Sequence, residues 1–438
     1  MTRVSKWKAA VGAGAMLLAA ACGSSSENAG GADKAGNDAP SPIELVFYHT
    51  GGDWNEEGYF MKHYGDIIRS KFPHVTPKFL PTTSGKLDQL VAGKQPLDII
   101  VSSIGSSFTS VFANGLHTDL GPFIAKAKFD LNRFEPGSIT MAKQMGGGSL
   151  YGLPLYTAVA PIYYNKDIFN RFGVAYPKDK GTWDDLYDIA KRLTREEGGV
   201  QYYGLTVSPN HYMLRNQLSL KLIDPENLQV TVHSEQSKQL VENLARFYQL
   251  PGYNPTKSKL SVSGQRALFT KDKTAAMWLP VSTMHTEQEL QGINWDLAAY
   301  PEWGGSPGIG PQTYPYYMYI SQTAKNKDAA FDVLQYLLSD EFQMEKSRKA
   351  LFMSPLTNPD IRQSFGKDAP MYNGKNVKAM LPDKLAAPAP MSQYYSTAAG
   401  SLGVSMMEKL LLDKKDLNTA LREAQEDVTK AIETDKAK

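Results

Sequence analysis

Cysteine is all but absent, since Cys22 is the single one in 438 residues. No intramolecular disulfide can form, and a cysteine-built zinc site is excluded with it. The seven histidines (His49, His63, His74, His117, His211, His233 and His285) are scattered without ligand spacing, so neither a metal nor any other cofactor is expected. Excess charge is lacking too: 47 Lys and Arg stand against 45 Asp and Glu. Leaving out Arg3, Lys6 and Lys8 of the leader turns this into 44 against 45, so no basic footprint for nucleic acid remains. The apolar run over 9–18 is too short to span a bilayer as a permanent helix. No repeat of 20 to 50 residues is visible, which argues against solenoids and propellers. Gly146-Gly147-Gly148 lacks the Lys and Ser/Thr of a P-loop and reads as a turn. Ala399-Gly400-Ser401-Leu402-Gly403 resembles a nucleophile elbow, but no histidine follows it, so the chain order of a Ser-Asp-His hydrolase fails.

What is present is globular: 42% of the residues are apolar and 21% charged, in a chain long enough for two or more lobes. The N-terminus departs from this. Its basic residues, apolar run and Ala19-Ala20-Ala21 read as an export signal over 1–21. The sequence Leu18-Ala19-Ala20-Ala21-Cys22, followed by Gly23-Ser24-Ser25-Ser26, looks like a lipobox with Cys22 as the lipidated residue. Residues 22–41 are rich in Gly, Ser, Ala and Asn and read as a flexible tether. Multiple acyl chains would make a stable anchor.

From Pro42 onward, strand and helix patterns alternate. Strands are expected at 43–49, 75–80 and 97–102, with helices at 56–71, 86–92 and 106–113, which argues for a mostly parallel, helix-covered sheet. The stretch 150–194 is the most informative. Residues 158–164 read as a buried strand. Asn165 caps a helix over 166–172 that stops at Gly173. Thr182 caps a second helix with Asp185 at its third position, and Trp183, Leu186, Ala190 and Leu193 share its apolar face. Trp183, Tyr163 and Tyr164 are expected in the core. Further strands are expected at 203–207, 275–279, 297–299 and 316–321, and helices at 213–221, 235–249, 326–338, 340–349 and 417–432.

Tyr151-Gly152-Leu153-Pro154, then Tyr163-Tyr164-Asn165-Lys166-Asp167-Ile168-Phe169, then Thr182-Trp183-Asp184-Asp185-Leu186 resembles the mid-chain signature of the family 1 extracellular solute-binding proteins, maltose-binding-protein-like sugar-binding lipoproteins of bacterial ABC importers. The resemblance implies an α/β fold of periplasmic-binding-protein type II, with two lobes and the ligand cleft between them. Transferred here, lobe one would hold 42–154 and 318–375, and lobe two 155–317 and 376–438. It implies ligand contacts at Asp53, Trp54 and Glu56 after the first strand, at Ser102 and Ser103 after the third, and at Tyr156 and Thr157 at the crossing. Asn210, Tyr212, Trp278 and Tyr395 complete the implied set, since flat rings suit pyranose faces and polar groups their hydroxyls. Charged contacts of the maltose binders do not all reappear, for the positions at Gly105 and Ala158 carry none. The function implied is capture of a carbohydrate, with delivery to an ABC permease by hinge closure, in a monomer anchored through Cys22 and performing no catalysis. Two alternatives stay open: a lipid-anchored carbohydrate-active enzyme, or a receptor for a polyol phosphate or ferric ion.

Replacing the anchor residue tests the N-terminal reading. Cys22→Ala is expected to release the exported protein into the soluble fraction after a salt wash, read by fractionation and mass spectrometry of the N-terminus. Retention on the membrane would discard the lipid anchor.

Overall fold

The computed structural model describes residues 41–51, 54, 56–282 and 287–437. The export signal, Cys22, most of the tether and Asp53 lie outside them. In chain order the strands are β1 (Ile43–His49), β2 (Val75–Leu80), β3 (Ile99–Ser103), β4 (Gly152–Thr157), β5 (Ile162–Asn165), β6 (Arg195–Glu197), β7 (Val200–Val207), β8 (Ala275–Leu279), β9 (Trp295–Ala298), β10 (Ile309–Gln312), β11 (Pro315–Ile320) and β12 (Lys384–Ala386). They form two five-stranded sheets, ordered β2-β1-β3-β11-β4 and β6-β7-β8-β5-β9, and a separate β10-β12 pair.

Helices flank both sheets, as expected, but the sheets are mixed and not mostly parallel. In the first, β1 pairs parallel with β2 and β3, while β11 runs antiparallel to both β3 and β4. In the second, only β7 and β8 pair parallel. The physical reason is connectivity. β11 follows the short β10 of the separate pair with no crossover helix before it, and it enters between β3 and β4 antiparallel to both. β6 and β7 form a hairpin whose two-residue turn is Gly198-Gly199, both at positive φ, the geometry that suits the strand twist.

Sequence pattern explains the strand positions. β3 is buried at every residue and lies inside its sheet. β2 alternates buried and exposed, and its Pro77 is tolerated because β2 is an edge strand. The stretch over 165–194 folds as its caps dictate. Asn165 accepts from the backbone N–H of Asp167, Gly173 turns left-handed at φ 64°, and Thr182 and Asp185 form the reciprocal capping box. The helix Trp183–Leu193 then buries Trp183, Leu186, Ala190 and Leu193. It lies so close to β7 that a Cβ on Gly204 would sit 2.2 Å from the carbonyl oxygen of Ala190. Only glycine allows that approach.

Two expected elements differ. The apolar run over 158–164 is not one strand: β5 begins at Ile162, and 158–161 passes between the sheets. Pro161 brings no N–H to a ladder. The helix expected over 213–221 is instead Pro209–Leu214, with proline in its first turn. It stops because the Asn216 amide turns back on the chain: Nδ2 donates to Met213 O and Oδ1 accepts from Leu220 N. The C-terminal helices Tyr395–Leu402, Val404–Leu411 and Leu417–Lys436 pack on the side of the second sheet, through Asn210 Oδ1 to Val404 N and Gln425 Oε1 to His233 N. Among the described residues no helix is long and apolar enough to cross a membrane.

The capping box gives a stability test. Thr182→Ala is expected to cost about 1 kcal/mol, read as a lower denaturation midpoint at unchanged m-value. An unchanged midpoint would show that the cap does not help to hold this helix.

Candidate ligand cleft

Strand direction decides which residues meet. In the first sheet the C-terminal ends of β1, β3 and β4 and the start of β11 share one edge, which carries His49, Ser103, Thr157 and Pro315. In the second sheet the ends of β7, β8 and β9 and the start of β5 share another, which carries Val207, Leu279, Ala298 and Ile162. The short segment 158–161 joins the end of β4 on the first edge to the start of β5 on the second, and 313–314 leads from β10 of the separate pair to the start of β11 on the first edge. Ligand sites of open α/β sheets form at such strand ends.

On the first rim hydroxyls form a connected set. Thr50 Oγ1 donates to Ser102 Oγ at 2.9 Å, and Ser106 Oγ lies 3.0 Å from the hydroxyls of both Ser102 and Ser103. Behind them runs a stack of rings. Tyr156 packs on Tyr316 at 4.4 Å and on Phe352 at 5.1 Å; His49 stacks on Tyr316 and touches Trp54. His49 Nδ1 lies 2.8 Å from Gly51 O and 3.0 Å from Gly51 N, and Nε2 is hydrogen-bonded with the Tyr156 hydroxyl at 2.9 Å. The second rim brings half-buried Asn210, His211 and Ser282. Tyr314 closes the distance, with its hydroxyl 3.3 Å from Ser103 Oγ and its ring edge-on to His211.

Several expected contacts prove to be packing groups. Trp54 is only 2% exposed, enclosed by Tyr64, Phe60, Phe79 and His49; the end of β1, the helical turns just after the loop and the strand β2 close around it, although the loop itself reads as polar and Gly-rich. Trp278 is fully buried between Tyr163 and Phe269. Tyr212 is buried, donating to Leu240 O and accepting from Asn243. Tyr395 is buried, its hydroxyl accepting from Asn216 Nδ2. The Asn210 side chain holds the N-terminus of the helix Val404–Leu411. Glu56 is exposed and precedes the helix Glu57–Phe60. Ser102, Ser103, Tyr156 and Thr157 do come together at the rim; Asp53 lies outside the described residues. Trp183, Tyr163 and Tyr164 are in the core as expected.

The stretch Asn210-His211-Tyr212 carries His211 to the rim where sequence reasoning places polar contacts, whereas His49, Tyr314 and Tyr316 were not singled out by it. Their one legible signal is position, at strand ends or just beyond them. Burial governs their charge. His49 and His211 are each pushed down to about 4, His49 by burial and His211 by burial and then by the Arg215 charge. Arg215 is itself pulled down to about 10 by burial. The Tyr395 hydroxyl is pushed up to about 12 by burial. Among the described residues no cluster of His, Cys, Asp and Glu could hold a metal ion.

Two helix-covered mixed sheets, joined by short crossings and facing each other along their strand ends, define a two-lobed binding fold. The chain belongs to the bacterial extracellular solute-binding protein family, whose sequence profile matches residues 55–344. It is 23% identical over 253 residues to a putative binding protein of Brucella abortus, an alignment covering 55% of this chain and 58% of that one. The chain thus spans little more than half the length of this curated relative. Among solved structures, it superposes on an ABC substrate-binding protein of Listeria monocytogenes in complex with cycloalternan, with TM-score 0.73 and 19% identity over 90% of this chain and 99% of the other. A solute-binding protein of Thermotoga lettingae bound with alpha-D-tagatose gives TM-score 0.68 and 16% identity, over 89% and 99% of the two chains.

The buried histidines predict a pH dependence. In the unfolded chain a histidine takes up a proton below about 6.5, whereas folded His49 stays neutral down to about 4. The unfolded state therefore binds more protons in this window, and stability falls as pH drops from about 6.5 toward 4. His211 and His63, also shifted to about 4, act in the same direction. Melting temperature against pH should show this loss, and His49→Gln should make the slope shallower. An unchanged slope would mean that His49 is protonated in the folded state.

Proposed function

We propose that this protein captures a carbohydrate between its two lobes and presents it to the permease of an ABC importer, without changing it covalently. Lobe one gathers 42–157 and 315–369, lobe two 162–312 and 376–437, and the intervening residues form the hinge. The observation that carries the reading is the pair of facing rims, one lined by the hydroxyls of Thr50, Ser102, Ser103 and Ser106, the other by His211 and Ser282. Neutral hydroxyls and imidazoles suit the donor and acceptor pattern of sugar hydroxyls. The carbohydrate ligands of the Listeria and Thermotoga structures agree with this choice. Ser103, Thr157 and the loop holding Asp53 are the contacts proposed from the original set, and His49 with Tyr316 supports them from behind.

Closure follows from geometry. A ligand touching both rims makes its full contacts only when they approach, so binding shifts the population toward the closed form, and the permease reads the closed surface. Membership of an extracellular family implies an extracytoplasmic location; anchoring there through Cys22, as a monomer, belongs to the proposal.

Thermal melting of a soluble form starting at Gly23 against a panel of oligosaccharides, monosaccharides and polyols tests it. A ligand at a hundred times its Kd stabilises by about 2.7 kcal/mol, enough to raise the midpoint by a few degrees. Ser103→Ala should weaken the shift, and the sugar should be recovered intact. A cleaved or altered sugar would make the protein an enzyme. A shift only with glycerol phosphates or ferric ion would discard the carbohydrate.

A further inference from the structure

The hinge strands have a second side. β11 and β5 lie inside their sheets, and beyond them stand β4 and β9 at the far edges. There, away from the ends of β1, β3, β7 and β8, a groove of about 540 Å³ is lined by the crossing residues 157–160, by Glu135 and Met353 on the side of the first sheet, and by Tyr300 and Met380 on the side of the second. Aliphatic residues, Val159, Ile309 and Leu356 among them, alternate in its lining with polar and charged ones.

Four carboxylates, Glu135, Asp179, Glu302 and Asp383, and four cations line it, and they differ in how far they are engaged. Three of its carboxylates are already engaged: Glu135 accepts from the N–H groups of Gly137 and Ser138, Asp179 from Ala299 N and Asn376 Nδ2, and Glu302 from Gly308 N. Its cations Lys180, Arg215, Arg362 and Lys378 form no ion pair within 4 Å among the described residues. Arg215 is the telling one. It is 3% exposed, its Nε donates to Gln312 O at 3.0 Å, and its Nη1 is buried with no hydrogen-bond partner. An uncompensated buried guanidinium is costly. Arg215 also borders a void of about 10 Å³ shared with Ala160 and His211, room for one water at most. Water would complete a hydrogen bond, but it would not offset the charge.

We infer that this groove is a binding site for an organic anion, a carboxylate or phosphate borne on an apolar body, whose charged group pairs with Arg215 while Arg362 and Lys378 attract it from the more exposed part. The groove volume falls in the range of small-molecule sites, and its aliphatic residues suit a body poorer in hydroxyls than a sugar. Its walls come from both sides of the crossing, so an occupant there is linked to one at the rims through the same hinge. That last clause rests on the hinge reading; the binding itself does not.

Calorimetric titration of the soluble protein with benzoate and with phenyl phosphate, against neutral benzyl alcohol, tests the site. Saturable binding of at least one anion is expected, with benzyl alcohol at least tenfold weaker, and the preferred anion tells carboxylate from phosphate. Arg215→Gln should weaken the anion at least tenfold. The more exposed double variant Arg362→Gln/Lys378→Gln should weaken it at least threefold and carries the test if Arg215→Gln does not fold. Ser103→Ala, on the rim, should leave anion binding intact. Equal binding of benzyl alcohol, no binding of either anion at millimolar concentration, unchanged affinity in the folded variants, or loss on Ser103→Ala would each overturn the site.

Discussion

The crossing between the two sheets depends on one buried amide. Gln312, almost fully buried, donates from Nε2 to Asn216 O and accepts at Oε1 from Ala389 N; its backbone N–H donates to Arg215 O and its carbonyl accepts from Arg215 Nε. Each of these bonds ties β10 to a segment distant in sequence. A buried polar group must be paired or it destabilises the fold by more than its own bond is worth. Gln312 therefore positions 209–220, 387–389 and the start of β11 together, and everything at the rims follows from where those segments lie.

Beside it, the two crossing segments hold each other. Ala158 N donates to Tyr314 O, Tyr314 N donates to Thr157 Oγ1, and Thr157 Oγ1 lies 3.1 Å from Thr313 Oγ1. Small residues at Ala158 and Ala160 keep the crossing narrow. Few residues separate β4 from β5 and β10 from β11, four over 158–161 and two over 313–314.

The chemistry of the rim is correspondingly undemanding. No group there is tuned toward nucleophilic or acid–base work near neutral pH; His49 and His211 are held neutral by burial, and the hydroxyls are bonded to one another. The large rings lie behind it. The stack from Phe352 through Tyr156, Tyr316 and His49 to Trp54 connects the crossing to the loop after β1, giving that loop a rigid backing.

Local order was written plainly in the chain. The caps at Asn165 and Thr182, the stop at Gly173, the apolar faces of 183–193 and 417–432 and the limits of β1, β2 and β8 are short-range matters of periodicity and hydrogen bonding, and they needed no partner to be read. The ordered motifs over 151–186 carried the family as well. What only the tertiary structure decided was pairing and burial. The sheets are mixed because β11 enters between β3 and β4 antiparallel to both, a fact of connectivity invisible to local pattern. Trp54, Tyr212, Trp278 and Tyr395 resembled ligand groups because loops and strand ends place them near the rims, yet their rings are taken up by packing, locally by His49, Phe60 and Tyr64 for Trp54, and across the fold for Tyr212 against Trp183, Trp278 against Tyr163 and Tyr395 beside Asn216. Arg215 carries no signal in the sequence, and only the tertiary structure buries it with its Nη1 left without a hydrogen-bond partner. Periodicity records what a residue needs from its neighbours in sequence; which distant group takes up its ring face or its charge is settled when the two sheets meet.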